Sequence, residues 1–332
     1  MKNILITGSE GFIGSHLTEF LLSKGYNVKA CILYNSFNNK GWLKDSYELK
    51  KNQNLEYIFC DVRDSELMSN ILKNQDVVFH LASLIAIPYS YKASQSYVDT
   101  NITGTLNLLN ASLKNNISRF IHTSTSEVYG SAKYIPIDEH HPIIGQSPYS
   151  ASKIAADQLA ISFYKSFNLP VSIVRPFNTY GPRQSARAII PSIISQVILN
   201  NKSIKLGYLK STRDFSYVND TVNAFYSTFK SSKSIGEIIN FGSGYEVSIR
   251  ELADLIMKLM NKKLIIKTDN IRLRPKKSEV LRLLSSTKKA KKLTKWKPQF
   301  VGKSGLSKGL SKTIDWFTKE ENLVNYNNDY VI

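Results

Sequence analysis

A chain of 332 residues can form one large domain or two interlocked ones. Its 42% hydrophobic and 21% charged residues are ordinary for a globular protein, and no apolar run approaches the roughly 18 residues that span a membrane. The net charge of +18 favours polyanionic partners, but lysines such as Lys288-Lys289 and Lys291-Lys292 lack the interleaved aromatics of a base-stacking surface. They read as a solvated face, so neither nucleic acid nor membrane is expected as a partner, and the protein is expected in the cytoplasm.

Lys2 followed by Ile4-Leu5-Ile6 has the look of a signal peptide but is too short and runs straight into glycines. Asn3 to Thr7 therefore reads as a buried strand, and Gly11 to Lys24 as the helix after it. Further strands are predicted at Asn27 to Leu33, Leu55 to Cys60, Asp76 to His80, Arg119 to Thr123 and Pro170 to Arg175. Helical periodicity fills the gaps, notably over Ser94 to Lys114 and Pro148 to Phe167. This alternation defines βαβ units and a parallel sheet covered on both faces. Cys31 and Cys60 both fall in predicted strands, where packing explains them.

Beyond Pro176 the rhythm breaks into loops such as Asn178-Thr179-Tyr180-Gly181-Pro182-Arg183. Helices are predicted at Ala188 to Leu199 and Ser248 to Met260, with Ile238 to Phe241 rejoining the sheet. The expected fold class is α/β, a doubly wound parallel sheet (Rossmann-like) with a smaller, interleaved C-terminal substrate domain. Residues 1–175 make the dinucleotide-binding domain, with the chain returning at about 214–241. Residues 176–319 make the substrate domain, and the polar residues 320–332 a loosely held tail.

Gly8-Ser9-Glu10-Gly11-Phe12-Ile13-Gly14 stands between the first strand and the first helix, the context a dinucleotide needs. Gly8 permits the turn, Gly11 admits a pyrophosphate, and Gly14 lets helix and strand pack closely. Phe12 and Ile13 open the helix whose N-terminus faces the phosphates. An acid about 20 residues on would bind the adenosine ribose. Here the chain reads Ile32-Leu33-Tyr34-Asn35-Ser36, with no acid and no compensating arginine. Asn35 could bond either a hydroxyl or a phosphate, so NAD and NADP both stay open.

Tyr149-Ser150-Ala151-Ser152-Lys153 puts a phenol and an ammonium on one helical face. A neighbouring ammonium and a nicotinamide cation would lower the phenol toward use as a base. His80 and His122 end predicted strands and read as packed histidines. His140-His141 lacks further ligand partners, so no metal is expected.

These motifs carry a resemblance. With His80-Leu81-Ala82-Ser83, Asn101-Ile102-Thr103-Gly104-Thr105, Thr125-Ser126-Glu127-Val128-Tyr129-Gly130, the Arg175 to Arg183 segment and Arg213-Asp214-Phe215-Ser216-Tyr217, they resemble the extended short-chain dehydrogenase/reductases acting on sugar nucleotides. The resemblance implies cofactor contacts from Asp61, Val62, Leu81, Ala82, Ser83, Asn101 and Thr123, besides Tyr149 and Lys153. It implies substrate contacts from Ser83, Asn178, Arg183, Arg213 and Arg274, and a homodimer built on the two long helices.

Within that superfamily, Glu127 separates activities. A 4-epimerase needs no carbon-proton base, whereas a 4,6-dehydratase must remove the proton on carbon 5. Many dehydratases read Thr-Asp-Glu. Thr125-Ser126-Glu127 resembles instead the Thr-Ser-Glu of GDP-mannose 4,6-dehydratases, where one glutamate can move the proton from carbon 5 to the leaving oxygen. The apolar segment Ala82 to Tyr91, with Leu33-Tyr34-Asn35-Ser36-Phe37, looks like the dehydratases of legionaminic-acid and polysaccharide biosynthesis, which act on UDP- or GDP-linked N-acetylglucosamine. The expected function is that dehydration. The rivals are a 4-epimerase and, from another class, a non-catalytic nucleotide- or RNA-binding protein on the same fold.

Overall fold

The structure is a computed structural model that describes residues 2–44, 52–200, 202–323 and 326. Its strands in chain order are β1 (Asn3–Thr7), β2 (Asn27–Leu33), β3 (Leu55–Cys60), β4 (Val77–His80), β5 (Arg119–Thr123), β6 (Val171–Pro176), β7 (Asn178–Tyr180), β8 (Ser203–Leu206), β9 (Thr212–Tyr217), β10 (Ile238–Phe241), β11 (Glu246–Ser248) and β12 (Ile265–Thr268). Seven form one parallel sheet in the order β10-β6-β5-β4-β1-β2-β3.

Both faces of this sheet are covered because its strands are apolar at successive positions. Ile4 and Ile6 of β1 enter one core cluster while Leu5 enters the other, and Val77 and Phe79 of β4 divide from Val78 in the same way. The chain builds β1, β2 and β3 in one direction, then crosses to β4 on the other side of β1. That reversal opens a crevice beyond the C-terminal ends of β1 and β4, where open α/β sheets bind ligands.

The remaining strands form a three-stranded sheet, β11-β9-β7, and the β12-β8 pair. Ile238 to Phe241 rejoins the main sheet beside β6, as its sequence indicated. Thr212–Tyr217 does not enter that sheet; it pairs with β7 and β11.

The predicted long helix from Ser94 to Lys114 is broken. A turn at Ser94–Tyr97 passes into a wider π-helical stretch at Val98–Thr103, and a regular helix resumes at Gly104–Lys114. The extra residue per turn brings Asn101 inward, and Gly104 abuts Val62, whose Cγ2 would lie 2.7 Å from an added Cβ. The helix Pro148–Phe167 is continuous, capped by reciprocal bonds between Ser147 and Ser150 and closed by Asn168 in a left-handed conformation.

The expected loose tail is held in part. Glu320–Leu323 forms a helical turn, and Tyr326 is buried against Trp42, Trp316 and Phe317, its hydroxyl donating to Gln184 O at 2.8 Å. The other residues of that segment beyond Leu323 lie outside the described residues. No described helix is long and apolar enough to cross a membrane.

Candidate active site

The glycine loop leaves β1 and enters the helix Phe12–Ser23. Gly8 has φ +67°, and a Cβ there would meet Ala82 N at 2.8 Å; at Gly14 it would meet Gly8 O at 2.1 Å. No side chain caps this helix, so its first amide groups are left for a ligand. An uncapped helix start with no room for side chains fits a dinucleotide pyrophosphate. Thr7 Oγ1 accepts the backbone N–H groups of Leu81 and Ala82 at 3.2 and 3.1 Å, which fixes the β4 loop against the β1 loop.

Among the other residues implied as cofactor contacts, Ser83, Asn101, Asp61 and Asn35 have their side chains already engaged. Asn101 accepts Ser83 Oγ and Leu84 N–H, both at 2.9 Å, and donates to Leu84 O and Ser152 Oγ. It ties the Ser83 loop to the helix that carries Tyr149. Asp61 is clamped by Arg63 at 2.5 Å, which holds its carboxyl below the usual range, and Val62 is buried against Gly104. Asn35 turns into its own loop, donating to Leu33 O and Asn39 O. Thr123 ends β5 with its hydroxyl buried and without a hydrogen-bond partner among the described residues.

Tyr149 and Lys153 lie one turn apart in the Pro148–Phe167 helix, both under a tenth exposed. Tyr149 packs with Ile87, Tyr97 and Leu84. Burial pushes its phenol well above the ordinary value; the Thr125 hydroxyl bonded to it opposes this, and the Glu127 charge adds to it. In the protein alone desolvation dominates the Tyr149 phenol. Burial also lowers Lys153 to about 8, against the pull of Asp157.

Behind Lys153 is a buried polar cluster to which sequence reading assigned no role. Arg175 donates from Nη2 to Asp157 Oδ2 at 2.8 Å and from Nη1 to the Tyr129 hydroxyl at 2.9 Å. Ser124 Oγ donates to the same Asp157 oxygen at 2.7 Å. Burial alone would raise Asp157, but Arg175, His122 and Ser124 hold it at about 2. Its spacing was the available signal: Asp157 follows Lys153 by four residues, on the same helical face. His122 Nε2 lies 3.3 Å from Asp157 Oδ1, and His80 sits between Thr7 Oγ1 and Thr105 Oγ1 at 2.8 and 2.9 Å. Burial lowers both rings, as for packed neutral histidines.

Thr125 opens the short turn Ser126–Tyr129 by accepting the Glu127 N–H at 3.2 Å. Ser126 is buried in that turn, and Glu127 is only 9% exposed. The Glu127 carboxylate does not face bulk solvent: its Oε2 lies 3.5 Å from Arg274 Nη1. Arg213, buried beside them, is lowered by desolvation against the attraction of Glu127 and Glu279. Asn178 Oδ1 is buried without a hydrogen-bond partner among the described residues. Arg183 is directed elsewhere, pairing with Glu19 at 2.7 Å and donating to Ser15 Oγ at 3.2 Å on the first helix.

An uncapped glycine loop, a buried tyrosine–lysine pair and an enclosed carboxylate beside Arg274 are parts that NAD-dependent enzymes of the nucleotide-sugar dehydratase and epimerase class combine, and comparison places the chain in that class. The family described as GDP-mannose 4,6 dehydratase matches residues 5–308, and the chain belongs to it. A dTDP-D-glucose 4,6-dehydratase of Dictyostelium discoideum is 36% identical over 277 residues, covering 78% of this chain and 62% of that protein. Two solved structures share the fold. The dTDP-glucose 4,6-dehydratase of Streptomyces venezuelae, with NAD bound, has a TM-score of 0.85 at 26% identity, covering 97% of this chain and 98% of its own. The UDP-glucuronic acid 4-epimerase of Bacillus cereus, with UDP-glucuronic acid and NAD, has a TM-score of 0.84 at 32% identity, covering 95% and 98%.

Proposed function

We propose that the protein is a 4,6-dehydratase of UDP- or GDP-linked N-acetylglucosamine, forming the 4-keto-6-deoxy sugar. The observation that carries this reading is Glu127, whose carboxylate is enclosed in the cleft and close enough to Tyr149 for its charge to raise the phenol. An epimerase has no step for such a base.

The loop of Gly8, Gly11 and Gly14 would hold NAD, which would supply a hydride acceptor at carbon 4, the hydride donor at carbon 6 and a positive ring favouring the Tyr149 phenolate. Tyr149 accepts the proton of the carbon-4 hydroxyl, and Thr125 hydrogen-bonds the oxygen as it becomes a carbonyl. The ketone acidifies carbon 5. Glu127 removes that proton and delivers it to the hydroxyl leaving carbon 6, because the Ser126 hydroxyl is too weak an acid to do so. Carbon 5 finally takes up one proton, matching the one Tyr149 accepted. The net change is the loss of one water.

Asn178, Arg213 and Arg274 hold the nucleotide diphosphate, the arginines through paired N–H donors. Leu84 and Ile87, packed around Tyr149, give this side of the cleft the apolar character an acetamido methyl needs. The enzyme works in the cytoplasm as a homodimer, for which Val98, Leu113 and Phe167 expose apolar surface along the two long helical segments. A strict monomer in light scattering at micromolar concentration rejects the dimer.

Incubation with UDP- and GDP-N-acetylglucosamine, followed by mass spectrometry, tests the activity. The expected product is lighter by one water. An isomer of unchanged mass means the 4-epimerase reading, which the likeness to the Bacillus cereus enzyme favours.

A further inference from the structure

Folds of this kind select NAD with a carboxylate just past the second strand, where it accepts ribose hydroxyls and repels a 2′-phosphate. Here β2 ends at Leu33 and continues as Tyr34-Asn35-Ser36, without an acid. Asn35 does not replace it. Its Nδ2 donates to Leu33 O at 3.2 Å and Asn39 O at 2.9 Å, and its Oδ1 accepts the Asn39 N–H at 2.8 Å.

A carboxylate nevertheless stands at this strand end. Glu10, inside the glycine loop, reaches across so that its Oε1 accepts the Leu33 N–H at 2.9 Å. Its neighbour Ser9 anchors the crossing, donating from N and Oγ to Cys31 O at 3.2 and 2.7 Å. The following loop closes on Glu10: Trp42 N–H donates to Glu10 O at 3.1 Å. Gly41 has φ +54°, and a Cβ there would come within 2.6 Å of the same oxygen. Glu10 Oε2 is enclosed and has no hydrogen-bond partner among the described residues. An enclosed carboxylate oxygen without a donor is costly, and such exceptions in folded proteins call for a functional reason.

We propose that Glu10 is the residue that selects NAD over NADP, replacing from the glycine loop the acid missing after β2. A ribose hydroxyl would donate to this carboxylate, whose Oε2 has no donor among the described residues and whose Oε1 has only the Leu33 N–H. A 2′-phosphate would bring two like charges together and offer no donor. Because Glu10 lies at the adenosine end, the selection holds for a dehydratase and an epimerase alike.

The test is calorimetric binding of NAD+ and NADP+ to the full-length protein freed of dinucleotide, with mass spectrometry identifying what it released. The wild type should release NAD and bind NAD+ at least about tenfold more tightly than NADP+. Glu10→Gln and Glu10→Ala should each narrow that ratio by about tenfold. Glu10→Asp and Asn35→Ala should keep the preference. Equal wild-type affinities, an unaltered ratio in Glu10→Gln, or a collapse of the ratio in Asn35→Ala would each overturn the proposal. The wild-type ratio and Glu10→Asp keep it exposed to refutation if Glu10→Ala does not fold.

Discussion

Glu127 Oε2 and Arg274 Nη1 are 3.5 Å apart, so the proposed base of the elimination faces the cation proposed to hold the substrate's diphosphate. Arg213 joins them, its Nη2 3.5 Å from Glu279 Oε1. Two arginines and two carboxylates thus share one wall of the cleft, and a diphosphate arriving there would compete for both guanidinium groups.

Glu127→Gln preserves shape and removes the base. Water loss should fall by about 10²–10⁴. Reduction of bound NAD on adding substrate, followed by absorbance, should persist, since Tyr149 and Lys153 are untouched. Dehydration at the wild-type rate would take Glu127 out of the mechanism.

Arg274→Ala should raise KM for the nucleotide sugar by about 10–100-fold, the loss of a charge-assisted hydrogen bond, with a smaller effect on kcat. The reverse pattern, a collapse of kcat at constant KM, would place Arg274 in the chemical steps instead.

Lys153→Met should abolish activity yet stabilise the cofactor-free protein. Burial lowers Lys153 from 10.5 to about 8, so at neutral pH the folded state holds a charge it disfavours. The depression corresponds to about 3 kcal/mol. Between about 8 and 10.5 the unfolded chain binds more protons than the native one, so wild-type stability rises with pH across that window. The variant should therefore unfold at higher temperature at pH 7, with its advantage shrinking as pH rises through the window. A variant less stable at pH 7 would show that Lys153 is compensated by Asp157 more fully than its burial implies.

Arg175→Leu should destabilise by about 3–5 kcal/mol in denaturant titration, because Asp157 would keep a buried charge without its main partner. Asp157 is held at about 2, below its ordinary 3.8, so it contributes stability above 3.8 that is lost as pH falls toward 2. In the variant this acid loss should shrink, because without Arg175 the folded Asp157 no longer sits as far below its unfolded value. An unchanged acid limb would mean that His122 and Ser124 suffice.

The regular part of the fold was legible in the chain. β1, β2, β3, β5 and β10 and the Pro148–Phe167 helix have the bounds that apolar runs and helical periodicity mark out. These elements are long or doubly buried, so local pattern and tertiary demand agree. The strands β7, β8, β9, β11 and β12 lie among loops and pair in small two- and three-stranded sheets rather than in βαβ units, so no alternation with helices marks them. The π-helical stretch at Asn101 was equally hidden, because Ser94 to Lys114 has a helical pattern throughout and only the contacts of Gly104 and Asn101 in three dimensions break it.

The sequence alone determined that a glycine loop fit for a dinucleotide follows β1, that a tyrosine and a lysine share a helical face, and that a glutamate follows β5. Those are local facts, carried by spacing along one strand–turn–helix unit at a time. Only the tertiary structure decided where the charges meet: Glu127 with Arg274 across 147 residues of chain, Asp157 with Arg175 behind Lys153, and Glu10 at the end of β2. The physical reason is that electrostatic pairing and burial depend on distance through space and on the exclusion of water, neither of which is encoded in the separation of residues along the chain.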